Sequence, residues 1–294
     1  MLARLEIGTE QIDALAVTTT PAAQRGWLNG AMQAGMLLGR ALFGGGAILL
    51  ASHFGWRAVL VALLAAIWCT VIFLWTTVTG SELPVARGNA RAQFGKSFRQ
   101  AFSTRSTWLG VGFALTAGAG FEAVGALAGP FLIDAGVSVD ATGLFFGLPV
   151  VGAMLVGGLA GGRFADRGER PRTVARYLIL LCLLVASVGV GQLAGLPGPA
   201  LMGMLALVYF AIGLFTAASY ALFMDLTDPR LGATQFSTFM AATNGCEAWA
   251  AWTGGRIVGG AGYAAAFLIM PLVGLAGLLF LRALPREDPA GKGD

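Results

Sequence analysis

The chain is short of charge, of histidine and of cysteine, and each shortage closes off a class of protein. Only 12% of its 294 residues are charged, about half the share of a soluble domain. Polar surface is therefore too scarce to cover a water-facing particle. The single histidine, His53, falls at a helix end beside Phe54 and Gly55 and reads as an interfacial residue. No Ser-His-Asp constellation can be built around it, so no enzyme is expected. The three cysteines, Cys69, Cys182 and Cys246, lie far apart inside apolar runs. That spacing gives neither a disulfide framework nor a metal-ligand pair. No window reads GxGxxG after a strand and none reads GxxxxGK[ST], so nucleotide binding and ATP-driven transport lack sequence support, and no cofactor is expected. No basic, aromatic-interleaved patch points to nucleic acid.

What is abundant is apolar surface: 56% of residues are hydrophobic and the mean hydropathy is +0.75. The 44 glycines have no collagen-like period, and membrane helices accept glycine because small residues let backbones approach. The chain reads as an all-α, polytopic transmembrane helical bundle whose main partner is the lipid bilayer, and as a monomer. A span takes about 20 apolar residues, so the length holds about eight spans and cannot hold twelve. Hydropathy places them at 27–51, 56–78, 108–133, 141–164, 174–194, 199–224, 233–257 and 263–284. Residues 1–20 carry Arg4, Glu6, Glu10, Gln11 and Asp13, contain no run long enough to cross, and do not read as a signal peptide.

Basic residues collect in three places. In 79–106, Arg87, Arg91, Lys96, Arg99 and Arg105 face a lone Glu82, and Phe94, Phe98, Ala101 and Phe102 recur at helical spacing. Part of this segment is expected to lie on the membrane as an amphipathic helix. Arg163, Arg167, Arg170, Arg172 and Arg176 form the second cluster, and Arg282, Arg286 and Lys292 the third. An even number of spans separates each cluster from the next, so all three share one side. The positive-inside rule makes that side, with the C-terminus, the cytoplasm. A bacterial inner membrane is the expected setting.

Two stretches repeat at an offset of about 208 residues. Residues 18–25 read TTTPAAQR and open a Gly-rich span, with Gly55-Trp56 before the next; residues 226–234 read LTDPRLGAT and open another, with Gly262-Tyr263 before the next. Both copies start on the same side, which makes the repeat parallel. Between two spans, Gly162-Arg163-Phe164-Ala165-Asp166-Arg167-Gly168-Glu169-Arg170 resembles the GxxxDRxGR motif of the major facilitator superfamily, with Glu169 where the motif has glycine. There the resemblance implies a charge-paired turn, with Gly162, Asp166, Arg167 and Arg170 locking the two halves in one state. Glu10 to Ala16, containing Gln11 and Asp13, followed by Arg25-Gly26 and Asn29-Gly30, is similar to the branch of muropeptide permeases, acetyl-CoA transporters and related siderophore permeases. The resemblance implies twelve helices in two halves of six. On that alignment 1–78 holds the end of helix four with helices five and six, 79–106 is the linker, and 107–294 is a complete second half. Helices one to three are expected to be absent.

Ionisable residues inside a span are costly and mark function. Glu122 falls near mid-span, where burial would raise its pKa enough to carry a proton; the alternative is a structural hydrogen bond. Asn244, Glu247 and Trp252 recur on one helix face and could wall a substrate cavity, Glu247 sharing the proton role. Arg40 suits carboxylate or phosphate, its alternative being a pair with Asp13. Arg256 is a fourth intramembrane charge, set less deeply. Gly35 and Gly39 on one helix, and Gly143, Gly147, Gly152, Gly157, Gly158, Gly161 and Gly162 on another, read as close-packing faces. The expected function is proton-coupled transport of an anionic peptide-like or siderophore-like solute by alternating access. The alternative is a truncated remnant that does not transport, or that needs a partner.

Overall fold

A computed structural model describes residues 20–39, 46–78, 99, 102–228 and 232–285. All regular structure among them is helical. A short 3₁₀ turn, Ala22–Gln24, leads into α1 (Arg25–Gly39), followed by α2 (Gly46–Val78), α3 (Arg105–Thr116) and α4 (Ala119–Asp134). Then come α5 (Val139–Phe145), a π turn over Phe146–Val150, α6 (Val151–Ala165), α7 (Arg170–Leu193), α8 (Gly198–Leu226), α9 (Gly232–Gly274) and α10 (Gly277–Ala283).

Six stretches of the described residues are long and apolar enough to cross a membrane: Phe54–Phe73, Arg105–Asp134, Val139–Ala165, Arg170–Leu193, Gly198–Leu226 and Thr234–Ala283. The last runs 50 residues, too long for one crossing, since a span takes about 20. It divides at Gly262, between the two spans expected there. The expected span 27–51 falls on α1 and the start of α2, on either side of residues 40–45, which are not described. An all-helical, multi-pass bundle is what the hydropathy called for.

The repeat read from sequence reappears in backbone angles. Gly55 breaks α2 at φ 76°, ψ 169°, and Gly262 breaks α9 at φ 81°, ψ 173°. This region is open to glycine alone, because a Cβ there collides with its own backbone. Two glycines some 207 positions apart thus divide two helical runs in the same way.

Other breaks follow from local chemistry. Pro149 sits inside the π turn between α5 and α6; lacking an amide hydrogen, proline cannot continue the ladder there and the turn widens. Ser138 caps α5 by accepting from the Ala141 amide at 3.2 Å. The run Arg105–Asp134 is interrupted at Ala117–Gly118, which separates α3 from α4.

Lipid is as apolar as Leu, so helices here associate by fit. Ala119, Ala123, Ala128, Ala217, Ala218 and Ala221 are buried where helices meet. Around them, Phe113 packs on Phe215 and Phe223 with centroids 6.1 and 5.9 Å away, and Phe223 stacks on Phe239 at 5.1 Å. Phe131 meets Phe267 edge to face at 5.1 Å. In its packing α4 lies on α9, α8 lies on α6 and α7, and α1 lies on α6 and α8. The apolar part of α2 is different: Leu60, Leu64, Ile67 and Trp68 are all exposed, as suits a helix that is hydrophobic all round.

Gly262→Ala is expected to lower stability by about 1–3 kcal/mol, measured as thermal unfolding in detergent micelles. Gly259→Ala, in ordinary helix with open space around its Cβ position, should be neutral or slightly stabilising. Equal melting of the two variants would contradict the strain assigned to Gly262.

Candidate functional site

Four helix ends meet at one end of the bundle, where the turn between α6 and α7 approaches the start of α1 and the finish of α8. Helix ends leave backbone groups without partners: amides at the N-terminus, carbonyls at the C-terminus. At this junction the start of α1 and the finish of α8 are met by side chains of complementary charge.

Asp166 follows the last residue of α6. Its carboxylate reaches α1 and accepts from the Gly26 amide at 2.7 Å and the Trp27 amide at 2.8 Å. Arg170, the first residue of α7 and only 8% exposed, donates Nη2 to Asp166 at 2.8 Å and to the Ala22 carbonyl at 2.6 Å. Its Nη1 pairs with Asp225 and reaches the Ala221 carbonyl at 3.5 Å. Arg25 Nη1 closes the set on Asp225 at 3.0 Å and on the Met224 carbonyl at 3.2 Å. The charges alternate Asp166, Arg170, Asp225, Arg25 and sum to zero. Two arginines answer the negative end of α8, and one aspartate answers the positive end of α1.

Such short reach requires the backbones to be close. A Cβ on Gly162 would strike the Gly26 carbonyl oxygen, and one on Gly30 would come within 2.7 Å of the Gly158 carbonyl oxygen. Gly26 with Gly30, and Gly158 with Gly162, therefore form a reciprocal pair of small residues one turn apart. Asn29 sits in the same seam, 1% exposed, and donates to the Arg25 carbonyl at 2.7 Å and the Met224 sulfur at 3.1 Å. A neighbouring side of α6 is equally close to α8: a Cβ on Gly161 would lie 2.5 Å from Leu214. The sequence-based expectation for α1 was a face built on Gly35 and Gly39, yet both have open space around their Cβ positions, as do Gly143, Gly147 and Gly152. The seam is made about two and a half turns earlier in α1, beside the ionic junction.

The structure brings Gly162, Asp166 and Arg170 of the motif together but leaves Arg167 out. Arg167 points outward, its guanidinium 5.9 Å from the Phe164 ring centre, with no ion pair among the described residues. Glu169, the departure from the motif, pairs with Arg172 at 2.6 Å; both are about two-thirds exposed, where such pairs contribute little. Arg25 and Asp225 were missed as site residues. An aspartate at the C-terminus of a helix opposes the dipole, and that anomaly was the available signal.

Glu122 occupies the first turn of α4, just after the Ala117–Gly118 break. A Cβ on Gly118 would lie 3.2 Å from Cys246 Sγ and 3.3 Å from Glu122 Cγ, which places Glu122 close to α9. The break exposes the Leu115 carbonyl, and Trp249 of α9 donates its indole N–H to it at 2.9 Å. Trp249 thus ties α9 to α3. Asn244, Glu247, Trp252 and Arg256 are all exposed along α9, with the Arg256 guanidinium 5.8 Å over Trp252. They spread over the exposed half of α9, with Glu247 and Arg256 at its two edges. Gln11, Asp13 and Arg40 lie outside the described residues. No group of three or more metal-ligating side chains occurs among the described residues.

A family model described as Major Facilitator Superfamily matches residues 12–246, a stretch that contains every member of the junction.

Asp166→Ala would leave Arg170 buried with half its carboxylate partners and α1 without its anionic cap. The expected cost is about 3–5 kcal/mol, read from thermal unfolding in lipid-free micelles. Arg167→Ala should stay within about 0.5 kcal/mol. A larger loss at Arg167 than at Asp166 would contradict the assignment.

Proposed function

This chain belongs to the major facilitator superfamily, and from that premise we propose that it moves a small anionic solute across the membrane by alternating access, coupled to protons. Membership makes it a membrane transporter; solute, coupling and cycle are our reading. One observation carries the proposal: the alternating charges of Asp166, Arg170, Asp225 and Arg25, which join α1 to the α6–α7 turn and α8 at one end of the bundle. A seam of glycines zipped by four hydrogen-bonded charges is a contact that can open as a unit. Alternating access needs such a contact, because two packings must lie within a few kcal/mol of each other. With the junction formed, that end is closed and solute enters from the other.

The solute path is assigned to the exposed face of α9 that carries Asn244, Glu247 and Arg256. Charges at membrane depth face protein or a water-filled cavity rather than lipid. Glu122, set at a helix break beside that helix, is the proton carrier in this reading, with Glu247 as its partner along the path. Arg40 is the anion-binding residue, since its planar fork matches carboxylate or phosphate. The resemblance of Gln11, Asp13, Arg25-Gly26 and Asn29-Gly30 to the muropeptide and siderophore permeases favours a peptide-like or siderophore-like solute.

The test is uptake of a labelled anionic muropeptide, and of a ferric siderophore, into proteoliposomes under an imposed proton gradient. Uptake should collapse with a protonophore, and Glu122→Gln should abolish the gradient-driven component while leaving binding intact. Arg40→Ala should weaken solute binding by about tenfold or more. Gradient-driven uptake by Glu122→Gln at the wild-type rate would remove Glu122 from the coupling step.

A further inference from the structure

Beside the junction lies a groove of about 510 Å³, lined by Ala23, Gln24, Trp27, Arg163, Asp166 and Arg167. It opens where α1 begins and where α6 finishes the membrane-spanning run Val139–Ala165, and so at the level of lipid headgroups. Its charges do not balance internally. Asp166 is already met by two amides and Arg170, whereas Arg163 and Arg167 are exposed and take part in no ion pair among the described residues. Two guanidinium groups one turn apart therefore face a cleft in which Asp166, the one acid among the described lining residues, is spoken for.

The rim is apolar and suited to acyl chains. Trp27 is 50% exposed and Phe164 53%, and aromatic side chains at this depth sit against headgroups and upper chains. A basic pocket with an aromatic lip at the end of a span fits an amphiphile better than a free ion.

We propose that this groove binds the phosphate of an anionic glycerophospholipid, with Arg163 and Arg167 holding the phosphodiester and Trp27 and Phe164 flanking its chains. The site stands apart from the solute path on α9. It gives Arg167 the counter-charge that the junction does not supply. A lipid seated there also lies against the start of α1, so its occupancy favours the closed junction.

Native mass spectrometry of the full chain, with phosphatidylglycerol or phosphatidylcholine of matched chains added to the micelles, tests the proposal. The wild type should retain phosphatidylglycerol in preference to phosphatidylcholine. Arg163→Gln/Arg167→Gln should lower phosphatidylglycerol retention by about thirtyfold without changing helicity. Arg172→Gln/Arg176→Gln, which removes equal charge from the same segment outside the groove, should keep the preference. Equal retention of the two lipids by the wild type, or an equal loss in both double variants, would overturn the site. Displacement of the lipid by excess inorganic phosphate would make a soluble phosphate the occupant and overturn the lipid assignment.

Discussion

The Asp166 carboxylate is shared between two demands, the amide end of α1 and the guanidinium of Arg170, and the arrangement around it depends on that sharing. An aspartate at the C-terminal end of its own helix is badly placed with respect to that helix's dipole. It is tolerable only because a second helix offers its positive end across a gap narrow enough for a backbone amide to reach it. That gap exists because Gly26 and Gly162 have no side chains to hold the backbones apart. Charge and glycine are therefore one device: neither forms a contact without the other.

The same economy governs the rest of the junction. Near the end of α8, Arg25 donates to the Met224 carbonyl and Arg170 to the Ala221 carbonyl, while both also neutralise Asp225. The junction's members are polar, so water could take the place of each partner if the helices parted. An apolar seam of the same area would gain nothing from water and would have no reason to release.

Deeper in the bundle a second polar arrangement follows a different rule. The break at Ala117–Gly118 frees the Leu115 carbonyl in a region where water is scarce, and the Trp249 indole satisfies it from the neighbouring helix. Glu122 starts the next helix directly after this break. A discontinuous helix, a borrowed hydrogen bond and an acidic side chain thus occur together, and the aromatic packing of Phe113, Phe215, Phe223 and Phe239 holds the flanking helices around them.

The sequence by itself determined the class of solvent and the all-helical, multi-pass architecture. Scarce charge and long apolar runs leave only a membrane bundle, and those properties are additive along the chain. The places of Gly55 and Gly262 were legible for the same reason, since a break between two apolar runs is a local event. Asp166 and Arg170 were visible because they stand in a short motif, and Glu122 because any acid within a span is conspicuous. What only the tertiary structure decided is which of these groups meet. Arg25 and Asp225 are 200 positions apart, so no spacing rule joins them. Arg167 and Arg170 look equivalent in the motif, yet one is buried in the junction and the other lines an open groove. Gly26 and Gly30, rather than Gly35 and Gly39, carry the crossing. The physical reason is common to all three cases: pairing depends on the rotation and depth of one helix against another, and those are set by the whole packed seam and not by any segment of it.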